Sequence, residues 1–71
     1  MIDNITTAET IKLLMSREKV GPTQLSEKIG MSRQNLTNKL SRNNFHEKDL
    51  KLIAAALGYD LRIEFIKKEP L

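Results

Sequence analysis

Within one short stretch of this 71-residue chain sit three side chains suited to reading flat, hydrogen-bonding edges: Arg33, Gln34 and Asn38. The amides of Gln34 and Asn38 carry a donor beside an acceptor, the complement of adenine N6 and N7. The guanidinium of Arg33 offers two parallel donors, the complement of guanine O6 and N7. Around them, Thr23, Gln24, Ser32 and Thr37 suit phosphate oxygens, helped by the positive N-terminal ends of two short helices. Lys28, Lys39, Arg42 and Asn43 would supply backbone attraction and salt dependence. No acidic residue falls between Glu27 and Glu47, whereas Lys28, Arg33, Lys39 and Arg42 all do. The whole chain has 12 basic and 9 acidic residues, for a net charge of +3. The total is modest, but the local acid-free stretch is a candidate footprint for a polyanion. The plain alternative is a solvated surface that happens to be basic.

Other chemistries find little material. There is no cysteine, which removes disulfides, thiolate metal sites and a cysteine nucleophile. A single histidine, His46, cannot build a histidine-based zinc site. No nucleophile–base set or phosphate-cradling glycine loop is visible, so the reading is not an enzyme, with no cofactor and no small-molecule substrate. The longest apolar run, Leu52 to Leu57, is six residues, against about 20 for a bilayer span. No charged segment followed by an apolar stretch opens the chain, so neither a signal peptide nor a membrane partner is expected and the location is read as cytoplasmic.

The elements that must position these residues are short. Thr6 to Glu9 fits a capping box, and Ile11, Leu14 and Met15 then follow a helical face. This first helix should stop near Lys19, because Gly21-Pro22 cannot continue it. Pro22 suits the first position of a second helix, with Leu25 and Ile29 inward and Gly30 as its stop. Ser32 caps a third helix, with Leu36 and Leu40 inward. On its opposite side lie Gln34, Asn38 and Ser41, with Thr37 at the flank and Lys39 toward the core side. A fourth helix runs from about Glu47 to Leu57, with His46 and Asp49 at N-cap and N3 spacing. Its stripe is Leu50, Ile53, Ala54 and Leu57. Leu52, Ala55 and Ala56 lie off that stripe, so this helix is either central or covered by a second chain. From Tyr59 the period changes to two, which predicts a strand over 59–67 before a tail at 68–71. Met1 to Ile5 is the only other strand candidate, and a weak one. Pairing with the same strand of a second copy would satisfy its ladder.

The stretch Leu25-Ser26-Glu27-Lys28-Ile29-Gly30-Met31-Ser32-Arg33-Gln34-Asn35-Leu36 resembles the helix-turn-helix core of the phage Cro and repressor (XRE-like) transcriptional regulators. Leu25-Ser26, Gly30, Ser32 and Leu36 match the family's opening pair, turn glycine, cap and anchor. Phe45 through Gly58 resembles its following helix and Ala-Leu-Gly ending. The likeness covers about residues 8–58. Two departures stand out: Pro22 replaces the usual phosphate-contacting glutamine, and Met15 and Leu40 replace a buried Arg–Glu pair.

The resemblance implies a mainly α, single-domain chain (1–71): a lambda-repressor-like domain of four to five short helices over 6–58, followed by one C-terminal strand that pairs across a dimer. It places Arg33, Gln34 and Asn38 at base-reading positions. It implies a sequence-specific DNA-binding regulator, a repressor in sense, acting as a homodimer on an inverted-repeat operator in double-stranded DNA. Leu52, Leu61, Ile63 and Phe65 are assigned to the dimer interface, although Leu52 and Phe65 also suit a monomer core. A second reading is a protein-interaction module, antitoxin-like or adaptor, that keeps the fold without operator recognition.

Overall fold

None of the segments is long enough to hold a helix alone in water, so each exists only by sharing a core. The computed structural model describes residues 6–69 and contains four helices: α1 (Thr7–Glu18), α2 (Pro22–Ile29), α3 (Arg33–Arg42) and α4 (Glu47–Leu57). Helix α2 packs on α3 and on α4, and α1 packs on the same two. Nine apolar side chains form the core, among them Ile11 and Met15 of α1, Leu25 and Ile29 of α2, Leu36 and Leu40 of α3, and Ile53 and Leu57 of α4. Leu25 and Leu36 lose all contact with solvent. Met15 and Leu40 both lie in this core.

Helix starts follow their local chemistry. Thr6 Oγ1 accepts from the Glu9 N–H at 3.1 Å, and Glu9 Oε1 accepts from the Thr6 N–H at 2.8 Å. Ser32 Oγ accepts from the Asn35 N–H at 3.1 Å. Pro22 opens α2 with no donor to satisfy.

Helix ends share one device. Each finishes on a residue in the left-handed region: Lys19 (φ 58°), Gly30 (φ 71°), Asn43 (φ 52°) and Gly58 (φ 85°). In every case the next residue donates back to a carbonyl five residues earlier, as Val20 to Met15 (2.9 Å), Met31 to Ser26 (2.9 Å), Asn44 to Lys39 (3.1 Å) and Tyr59 to Ala54 (2.8 Å). This is the Schellman motif, in which the residue after the left-handed one commonly covers the helix end with an apolar side chain. Val20, Met31 and Tyr59 do so, packing against the core. Asn44 is exposed and does not.

The expected C-terminal strand is not formed in the single chain. Among the described residues there is no strand. The physical reason is the one the sequence raises: a lone extended segment has no neighbour to accept its ladder hydrogen bonds. Met1 to Ile5, the other strand candidate, lies outside the described residues. Residues 60–69 are exposed throughout. Tyr59 is their anchor, with its hydroxyl donating to Glu18 Oε2 at 2.8 Å. Beyond it the segment projects, and the molecule measures 48 by 24 by 22 Å. Leu52, Ile63 and Phe65 are exposed, and Phe65 entirely so; none belongs to the monomer core. Leu61 is also exposed, but it borders an apolar cleft of about 210 Å³ between α1 and α4, with Leu14, Leu50 and Ile53 on its walls.

Lys19 holds a conformation that glycine adopts without cost, and its side chain is exposed. Lys19→Gly should therefore raise stability by about 0.5–1 kcal/mol in urea unfolding, after allowing for the freer unfolded chain. A loss of stability would show that the lysine side chain does more than tolerate its position.

Candidate nucleic-acid interface

Burial of Leu36 and Leu40 fixes which way α3 faces. By the helical period, Gln34 and Asn38 then lie opposite the core, one turn apart, with Ser41 and Arg42 close beside them. All four are exposed. Neither the Gln34 nor the Asn38 amide joins any side-chain hydrogen bond among the described residues. Arg33 stands at the first turn on the flank nearer the core side, also exposed. Thr37 occupies the other end of that flank. Asn35, Asn38, Lys39, Arg42 and Asn44 line a shallow polar depression of about 180 Å³ at the C-terminal half of α3. This is the end where the apolar cover seen on the other three helices is missing.

The residues assigned to phosphate contact divide into four groups. Lys28, Arg42, Thr23 and Thr37 have exposed side chains with no ion pair among the described residues. Gln24 and Asn43 are partly committed. Gln24 Oε1 accepts from the Gly21 N–H at 3.0 Å, and Asn43 Oδ1 accepts from the Ala8 N–H at 2.8 Å. Both leave their amide nitrogens to donate elsewhere. Ser32 spends its hydroxyl oxygen on the α3 cap.

Lys39 is placed differently from a phosphate contact. Its Nζ lies 3.0 Å from Asp49 Oδ2, and the two side chains are only 19% and 12% exposed. The same carboxylate oxygen accepts from the His46 N–H at 3.0 Å. Asp49 thus caps α4 and anchors α3 at once. The His46 backbone hydrogen bond holds its carboxyl below the ordinary value of 3.8, Lys39 adds to that, and burial opposes both. His46 fills the N-cap position, but its side chain makes no capping hydrogen bond. The reaching-back carboxylate does that work instead. Spacing pointed to Asp49 as a helix-start residue; nothing in the sequence pairs it with a lysine ten positions earlier across a loop.

With Lys39 neutralised, the outer surface of α3 carries cations only at its two ends, Arg33 and Arg42, and uncharged amides and hydroxyls between them. The arrangement can offer bidentate hydrogen bonds from its middle and electrostatic attraction from its margins. No group of three metal-ligating side chains occurs among the described residues, and none of their helices is long and apolar enough to cross a membrane. No family model matches the chain, and neither a curated protein nor a solved structure matches it.

The Asp49 carboxylate is stabilised by folding, so its contribution is complete above its ordinary value of 3.8 and is lost as pH falls below it. The stability gap between the natural chain and Asp49→Asn should be widest near neutrality and shrink toward about pH 2. Lys39→Met should cost about 1–3 kcal/mol at neutral pH, between a surface pair and a fully buried one. Urea unfolding across that pH range reads both, and a constant gap would remove Asp49 from this role.

Proposed function

We propose that this protein is a sequence-specific DNA-binding regulator that lays α3 in the major groove, with α2 bracing it as the first helix of a helix-turn-helix. The observation that carries this reading is the outer face of α3: Gln34 and Asn38 exposed and without hydrogen-bond partners among the described residues, on a helix whose opposite side is sealed by Leu36. A merely solvated helix more often shows Glu–Lys pairs there. The acid-free stretch from Lys28 to His46 supports the same reading. In this scheme Arg33, Gln34 and Asn38 read bases. Arg42, Lys28, Thr23 and Thr37 meet phosphates directly, with the amide nitrogens of Gln24 and Asn43 beside them. Lys39 serves by holding α3 in place. The likeness to Cro and repressor proteins agrees with it.

The second part of the proposal is a homodimer. Residues 61–65 alternate apolar and charged, and Leu61, Ile63 and Phe65 are exposed, as is Leu52. Antiparallel pairing of this segment with a second copy would give it the ladder that one chain cannot supply. It would bury Phe65, whose exposure otherwise has no compensation. Repression would follow by covering the site that polymerase uses.

Selection from a random duplex pool at moderate salt tests the whole reading. The expected product is an inverted repeat with half-sites about 10 bp apart. Removing residues 61–71 should leave a monomer by sedimentation and weaken binding to that repeat. A single enriched half-site would remove the dimer, and no enrichment would redirect the reading to a protein partner. The phosphate assignments make a separate prediction. Arg42→Ala should lower the slope of log affinity against log salt by about 1. Lys39→Met should leave the slope unchanged. Equal slopes for both variants and the natural chain would take Arg42 out of the interface.

A further inference from the structure

Between Arg33 and Arg42, the solvent-facing side of α3 has no charged group to offer, because Lys39 is held by Asp49. Its two strongest edge-reading groups are therefore amides, Gln34 and Asn38. They stand four residues apart, about 6 Å along the helix axis. Base pairs rise about 3.4 Å each. That separation is enough for the two amides to reach different base pairs, one adenine each.

An amide that reads adenine accepts from N6–H through its oxygen and donates to N7 through its nitrogen. Adenine N6 has two hydrogens. One stays in the pair with thymine, and the other points into the major groove. That second hydrogen is the only one the amide can use. A methyl group on N6 that keeps the base pair intact must replace it. The donor then disappears, and a methyl group blocks the approach of the amide oxygen. A guanidinium reading guanine would be indifferent to this change, since guanine offers O6 and N7. A face that reads through amides is exposed to it at both of its central positions.

We infer that binding through this face is switched off by N6-methylation of the adenines it reads, which makes the methylation state of the DNA the regulator of this protein. The inference rests on the DNA-binding reading and adds to it the chemical mark that controls it. This control acts on the DNA itself and needs no separate effector domain.

The test uses the full chain and the sequence enriched from the random pool. Duplexes carry N6-methyladenine either at the adenines within each half-site or at an adenine outside them. Binding to the first should weaken by about ten-fold or more, the scale of one lost bidentate contact. Binding to the second should change by less than about two-fold, well below that scale. The Gln34→Ala, Asn38→Ala double variant should bind methylated and unmethylated half-sites alike, from a lower starting affinity. Unchanged affinity of the natural chain for methylated half-sites would overturn the inference while leaving the DNA-binding reading intact. So would a double variant that still loses affinity on methylation, because the effect would then come from the shape of the DNA. Failure to enrich any sequence would overturn both.

Discussion

Everything the surface can offer depends on the burial of Leu25 and Leu36. Four helices of eight to twelve residues cannot persist separately. They are helices because one small core takes the inner stripe of each. Full burial of Leu36 leaves α3 no freedom to roll, so the identity of its outward residues is settled by the same contact that stabilises it. Asp49 then removes the remaining freedom at the far end, tying α3 to the start of α4 through Lys39. The outer face of α3 is thus defined from behind, by an apolar side chain at its centre and an ion pair near its end.

Local sequence chemistry disclosed much of this. The Thr6–Glu9 box, Pro22 at a helix start, Gly30 and Gly58 at helix ends and Ser32 as a cap each involve residues within a few positions of one another, and each is found in place. The inner stripes at Leu25–Ile29 and Leu36–Leu40 follow from period alone. What stayed hidden depends on distance in the chain or on backbone conformation without glycine. Lys19 and Asn43 adopt left-handed geometry that their types do not announce. The Asn43–Ala8 and Tyr59–Glu18 hydrogen bonds join residues 35 and 41 positions apart. Lys39 reads as one more surface cation until the fold brings Asp49 to it. The strand expected over 59–67 is a different case: residues 59–65 do alternate, but alternation states a capacity to pair and carries no partner.

The candidate site shows the same division. Gln34, Asn38 and Arg42 are exposed for the reason their positions suggested, which is that Leu36 and Leu40 point the other way. The polar depression beside them was not legible. It exists because Asn44 sits where three of the four helices place an apolar cover, and that comparison needs the helix ends to be seen together. A rule kept three times and broken once, next to the residues with unpaired amides, is the kind of local inconsistency that folds tolerate where a surface has another use.

The hydrogen bond from Ala8 to Asn43 has a dynamic consequence. First-turn amides of a helix normally have no carbonyl to hold them, and the turn frays into water with little cost. Here the amide of Ala8 is held by the residue that closes α3. The two helix ends are therefore coupled: the first turn of α1 cannot unwind without giving up its hydrogen bond to the end of α3. Amide exchange at Ala8 should be slower than the rapid breathing of a free terminus, which makes the first turn of α1 a reporter on the integrity of the α3 end to which it is bonded.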